Sequence, residues 1–188
     1  MTGPETPSVL VVDDEPDLTD TYAEQLSGTY DVRKAYSGSE AFDALGDDVA
    51  VVLLDRRLPD RSSDELLETI NERYSDCRVA LVTGVTPDFD ILEMEFDDYV
   101  VKPVTGAQLR DTVEQVLARS NYQELVREYF ILISKYATLR THKTDAERND
   151  SPEFERLESR IDELRCELDA LVAEFDSEDF RHLCRDLA

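Results

Sequence analysis

The chain has 188 residues and a formal net charge of −24, from 20 Lys+Arg against 44 Asp+Glu. That length exceeds one comfortable core and suits an ordinary domain with a smaller companion, and a hydrophobic content of 41% supports packed interiors. With no apolar run near the ~20 residues that span a bilayer and no charged start leading into an apolar stretch, membrane insertion and secretion are disfavoured and a cytoplasmic location is expected.

The acids divide into 24 Asp and 20 Glu, the bases into 16 Arg and only 4 Lys. Short carboxylates hold water and cations at a surface, whereas long Lys stems offer apolar area that concentrated salt drives together. The balance therefore predicts a halophilic protein. Cys77, Cys166 and Cys184 are odd in number and lack C-x-x-C spacing, so neither a disulfide frame nor a zinc site is indicated.

Ser8–Val12 is a continuous Val/Leu run, the pattern of a strand buried on both faces. Runs at 31–35, 50–54, 79–83 and 99–101 follow, separated by helical spacing over roughly 16–27, 39–46, 62–73 and 106–118. Strand and helix alternating in this way predict an α/β fold with a parallel sheet covered on both sides and right-handed crossovers. Near Ser120 the pattern turns purely helical, and the charge changes with it: net −18 over 1–118 against −6 over 119–188. The domain boundary is expected there, dividing 8–119 from 120–188.

The polar signals all fall at strand ends. Asp13-Asp14 follow the first strand, Asp55 the third, Thr83-Gly84 the fourth and Lys102-Pro103 the fifth. In an open parallel sheet these ends converge on one edge, where ligands bind. Three carboxylates brought together repel unless a cation joins them, and an all-oxygen donor set favours Mg²⁺. One of them can then act as nucleophile toward a phosphoryl group while a hydroxyl and an ammonium neutralise the transferred oxygens, roles that suit Asp55, Thr83 and Lys102. A dehalogenase-like phosphatase would need a second carboxylate two residues after the nucleophile, where Arg57 stands. No Ser/His/Asp arrangement is visible either, so an enzyme with turnover is not expected.

The set Asp13-Asp14, Leu-Leu-Asp55 with Leu-Pro-Asp60 after it, Thr83 before a small residue, and Asp-Asp-Tyr-Val-Val-Lys102-Pro103 resembles the receiver domain of two-component response regulators. The resemblance spans 8–118 and implies a flavodoxin-like, five-stranded fold. It further implies that Asp55 accepts phosphate from a sensor histidine kinase, that Asp14 and Asp55 ligate Mg²⁺ directly with the main-chain carbonyl of Arg57, and that Asp13 does so mainly through water. Lys102 would pair with Asp55 and then the phosphate, Thr83 would move to the phosphate oxygens, and Tyr99 would turn inward. Only 19 positions separate Thr83 from Lys102, and Pro87 restricts where a helix can begin, so a short or irregular element is expected between the fourth and fifth strands. Glu95-Phe96 stands where Gly-Ala is common, so dimerisation through that face is not assumed. The bulky Arg57 is expected to lean over the pocket mouth and alter the access of attacking water.

In the tail, Tyr122, Leu125, Tyr129, Leu132, Tyr136 and Leu139 form a helical stripe that Val126, Phe130, Ile133 and Ala137 widen. After a polar stretch at 141–150, Ser151-Pro152-Glu153 signals a helix start. Phe154, Leu157, Ile161, Leu164, Leu168, Leu171 and Phe175 follow at heptad spacing, and Ser177 is expected to cap a last short helix with Phe180, Leu183 and Leu187. Parallel self-pairing would oppose Glu153 to Glu158 and Arg160 to Arg165, so an antiparallel hairpin of 122–139 against 154–175 is expected. Receiver and tail together resemble haloarchaeal response regulators carrying a HalX domain. The expected function is phosphorelay signalling, with an unknown downstream protein bound through 120–188. Leftover apolar faces leave room for a homodimer. The alternative is a DNA-binding transcription regulator, which the net charge of the tail and the single cationic cluster Arg140, His142, Lys143 and Arg148 do not favour.

Overall fold

The computed structural model describes residues 6–175. The chain separates into two compact units, 1–117 and 118–188. In the first, β1 (Ser8–Val12), α1 (Pro16–Leu26), β2 (Asp31–Ala35), α2 (Gly38–Ala44), β3 (Val49–Leu54), α3 (Ser63–Arg73), β4 (Arg78–Thr83) and β5 (Asp98–Val101) alternate as expected. The strands form one all-parallel sheet in the order β2-β1-β3-β4-β5. That order is the doubly wound, flavodoxin-like one, with the winding direction reversing between β1 and β3.

The continuous apolar runs are explained by two cores, one per sheet face. Successive strand side chains point to opposite faces. Leu10, Val12, Val52, Leu54, Val79 and Leu81 pack with Leu66 and Ile70 of α3. Val9, Val11, Val51, Leu53, Ala80 and Val82 pack instead with Leu26 of α1 and with Leu109, Val113 and Val116 of the following helix. Cys77 lies in the first core, where burial pushes its thiol up to about 12, so it is an inert apolar side chain.

Between β4 and β5 the chain makes only a 3-10 turn, Phe89–Glu93, capped by the Asp88 carboxylate accepting the Phe89 N–H at 2.7 Å. It buries none of its side chains, and Phe89 and Leu92 are 84% and 79% exposed. The shortness of the segment and Pro87 account for this irregular element.

At the start of α2, Asp60 accepts the Gly38 and Ser39 N–H groups at 2.8 and 2.9 Å. The Ser39 side chain and these two amides hold its carboxyl down to about 2. A carboxyl depressed in the folded state stabilises above the ordinary carboxylate range and loses that contribution as pH falls toward its folded value. Asp60→Asn should therefore melt below wild type at about pH 6, with the gap closing between about pH 4 and pH 2. Thermal scans across that range check it.

The division expected near Ser120 falls at 117/118, but the helix break expected with it is corrected. A single helix, α4 (Gly106–His142), replaces the separate segments 106–118 and 122–139. The stretch Leu117-Ala-Arg-Ser-Asn-Tyr122 contains neither Gly nor Pro, and its Ser and Asn cost only tenths of a kcal/mol each in a helix.

In the second unit α4 is followed by α5 (Asp145–Asn149) and α6 (Pro152–Phe175). α5 was expected as polar connection; a reciprocal capping box between Thr144 and Glu147 forms it. The hairpin is antiparallel: Tyr136 stacks on Phe154 at 5.4 Å, while further along α6 Arg160 reaches back to Glu128 at 2.9 Å. Leu125, Phe154, Ile161 and Leu164 are its buried centre. Arg148 closes the turn, donating to the carbonyls of Arg140 and Lys143 at 3.1 and 2.7 Å, and Ser151 caps α6 by accepting the Phe154 N–H at 3.2 Å. The expected last helix from Ser177 lies outside the described residues.

Candidate functional site

The parallel register brings the polar strand ends together. Val12 pairs with Leu54, Leu54 with Leu81, and Thr83 with Val101. One further rung continues past the strands: the Asp13 N–H donates to the Ala35 carbonyl at 3.1 Å, Asp55 to Val12 at 2.9 Å and Lys102 to Thr83 at 2.8 Å. The three residues that follow β1, β3 and β5 are thus fixed by the sheet rather than by loop conformation.

Asp13, Asp55 and Thr83 are buried, at 2%, 6% and 0% exposure. The Lys102 ammonium bridges Asp13 Oδ2, at 2.5 Å, and Asp55 Oδ2. Asp55 Oδ1 accepts from the Thr83 hydroxyl at 2.8 Å and from the Arg57 N–H at 3.0 Å. Asp13 Oδ1 accepts the Glu15 N–H at 3.1 Å, and the Thr19 hydroxyl of α1 holds the Asp13 carbonyl at 2.9 Å. Burial works against the charge of Lys102, but its two carboxylate partners outweigh it and hold the ammonium above the usual lysine range. The peptide bond from Lys102 to Pro103 is cis.

Asp14 is exposed at the rim, and one carboxylate oxygen from each of Asp13, Asp14 and Asp55 lies within 4.8 Å of the others. Three hard oxygen donors, already drawing in one side-chain cation, fit a divalent ion of the Mg²⁺ type. Residues the sequence reading passed over also border this edge. Tyr22 of α1 is buried and its phenol is pushed up, first by burial and then by the charges of Asp13, Asp55 and Glu15. Arg56, directly after Asp55, pairs with Asp90 of the 3-10 turn at 2.7 Å.

Tyr99 stands apart from the carboxylates. Its hydroxyl donates to the Val85 carbonyl at 2.8 Å and its ring tilts against Phe96 with centroids 5.7 Å apart. The Arg57 side chain is exposed, and only its main-chain N–H engages Asp55.

An open parallel sheet with paired carboxylates, a hydroxyl and an ammonium at its carboxyl edge defines the class of phospho-receiver modules. The comparisons place the chain within it: residues 9–114 match the response regulator receiver domain and residues 118–184 the HalX domain, so the chain belongs to the two-component response regulator family with a HalX tail. A putative transcriptional regulator of Haloferax volcanii is 48% identical over 166 residues, covering 87% of this chain and 28% of that protein. The transcriptional regulatory protein CpxR of Escherichia coli is 29% identical over 62% of this chain and 51% of its own. The chain thus spans between about a quarter and a half of the length of these relatives. Among solved structures, the response regulator DrrB of Thermotoga maritima shares 30% identity with a TM-score of 0.57, over 61% of this chain and 54% of that one. A CheY-like receiver domain from Methanospirillum hungatei, 24% identical with a TM-score of 0.59 over 63% of this chain and 99% of that one, shares the fold. None of the helices among the described residues is long and apolar enough to cross a membrane.

Proposed function

We propose that Asp55 is the phosphoacceptor of this receiver and that a sensor histidine kinase in the cytoplasm supplies the phosphoryl group. The observation that carries the reading is the Lys102 ammonium joined to two buried carboxylates, with the Thr83 hydroxyl on the other oxygen of Asp55. An Asp55 oxygen attacks phosphorus, the donor's P–N bond breaks and an acyl phosphate forms. Lys102 and Thr83 already touch the two oxygens of Asp55, so both are within reach of the oxygens the phosphoryl group brings. Asp13, Asp14, Asp55 and the Arg57 carbonyl would hold Mg²⁺, which when bound neutralises the carboxylates and the incoming phosphoryl oxygens. No reaction beyond this phosphorylation and its own hydrolysis is assigned, and Tyr99 is assigned the inward turn that follows.

Incubation of the full chain with acetyl phosphate and Mg²⁺ in molar KCl tests the reading. An alkali-labile label on Asp55 is expected, and its absence would remove the proposal. Arg57 is exposed two residues after Asp55, with its main-chain N–H on that carboxylate, and Arg57→Ala should change the decay of that label by about two- to tenfold if its bulk limits access of water to the acyl phosphate. A decay constant equal to wild type in the same buffer would show that the side chain does not gate water.

The output is assigned to protein contacts of the HalX unit rather than DNA. The cations of its cluster are engaged locally: Arg148 with two carbonyls and Asp145, Lys143 with Glu147, and Arg140 over the Tyr136 ring. The scarcity of Lys and the haloarchaeal relative support a cell interior rich in salt.

A further inference from the structure

From Tyr129 to Thr144 the chain carries no Asp or Glu, in a protein where 44 of 188 residues are acidic. The outer face of α4 in this stretch exposes Phe130 at 63% and Ile131 at 46%. Beyond them Ser134, Ala137, Thr138 and Thr141 are exposed at the three- and four-residue spacings that share a helix face. The three hydroxyl protons are spent within the helix. Ser134, Thr138 and Thr141 each donate at 2.9 Å to a carbonyl four residues earlier, so their methylene and methyl groups dominate the surface. Arg127, also exposed, is the nearest charge at the amino-terminal border of the face.

This face has a built-in asymmetry, with bulky Phe130 and Ile131 on one side of Ser134 and small Ala137 and Thr138 on the other. Pairing with an identical face in antiparallel sense, about a two-fold axis at Ser134, sets Phe130 across from Thr138 and Ile131 across from Ala137. Large side chains then meet small ones. The same pairing places Arg127 beside the partner's Thr141, in a last turn that also carries Arg140, whose guanidinium lies over the Tyr136 ring, and His142. Parallel pairing would instead set Phe130 on Phe130 and Ala137 on Ala137, bulk against bulk and small against small. Charge selects the location as well. Two copies bearing −24 each oppose carboxylates over most of their surfaces, and this acid-free face avoids that repulsion.

We propose that the outer face of α4 is a self-association surface, through which two copies of the chain pair antiparallel about Ser134. Nothing in this depends on the chemistry assigned to Asp55. Sedimentation of the full chain in molar KCl should show a monomer–dimer equilibrium with a Kd of about 10 µM, the weak end for a small interface. Phe130→Asp should weaken it by about a hundredfold, and unchanged circular dichroism will show that the helices persist. In a Cys166→Ser, Cys184→Ser background, Ser134→Cys should form a disulfide-linked dimer on mild oxidation, whereas Lys135→Cys, turned about 100° around the helix, should not. Dimerisation indifferent to Phe130→Asp, or crosslinking at position 135 in preference to 134, would overturn the proposal. So would a chain that stays monomeric to about 0.5 mM, which would leave the face to an acidic protein or to nucleic acid.

Discussion

Lys102→Ala should lower the stability of the receiver unit by about 3 kcal/mol in metal-free buffer, the largest single loss anticipated. The Lys102 side chain is 13% exposed and its ammonium meets Asp13 and Asp55, whose side chains are 3% and 8% exposed. Its removal leaves two like charges in a poorly solvated pocket, with only neutral donors for compensation: the Thr83 hydroxyl and the amides of Arg57 and Glu15. For a unit of this size such a loss corresponds to a fall of roughly 10–20 °C in melting temperature. Mg²⁺ at about a hundred times its Kd should return about 2.7 kcal/mol by binding only the folded state. Without the ammonium competing for the carboxylates the variant should bind Mg²⁺ more tightly than wild type, and so gain more stability at any one Mg²⁺ concentration. Its phosphorylation rate should fall by about a hundredfold even with Mg²⁺ present, since the cation that meets the phosphoryl oxygens is gone. Melts with EDTA and with Mg²⁺, and label incorporation from acetyl phosphate, check both halves. Equal melting of variant and wild type in EDTA would show that the paired carboxylates do not need the ammonium.

Asp55→Asn should abolish labelling completely while leaving the fold intact. The amide keeps an oxygen in place of Oδ1, which accepts from Thr83 at 2.8 Å and from Arg57 at 3.0 Å. Its NH2 then takes the place of Oδ2 and cannot accept from Lys102, which turns to Asp13 at 2.5 Å as its acceptor. Stability should accordingly stay within about 1 kcal/mol of wild type. Chemistry should not survive at all, because an amide is no nucleophile toward phosphorus. The two variants thus have opposite signatures: Lys102→Ala is unstable and slow, Asp55→Asn stable and inert. A label that persists in Asp55→Asn would move the acceptor elsewhere.

Much of the receiver was legible because a parallel sheet covered on both faces needs continuous apolar strands, and the Val/Leu runs at 8–12, 50–54 and 79–83 leave few other readings. The candidate site was legible for a related reason: parallel strands end on one edge, so polar residues spaced far apart along the chain had to converge. Some features carried a signal that was not used. Thr144 and Glu147 form a capping box inside what reads as a polar connection, and uninterrupted helix formers run past Ser120. Others left no local trace. That Lys102 would hold Asp13 as firmly as Asp55, or that Arg56 would reach Asp90, depends on side chains meeting across elements dozens of residues apart.

By itself the amino-acid order determined the alternating architecture, the two-part division, the identity of the carboxylates, hydroxyl and lysine at the strand ends, and a surface suited to strong salt. These are matters of period, composition and strand polarity, which act locally or through the sheet as a whole. Tertiary structure alone decided which oxygen each donor takes, that Tyr136 is the ring that stacks on Phe154 within the hairpin, and that Phe130 and Ile131 are exposed. Those outcomes rest on competition among packing partners brought together in space, which a one-dimensional pattern does not rank.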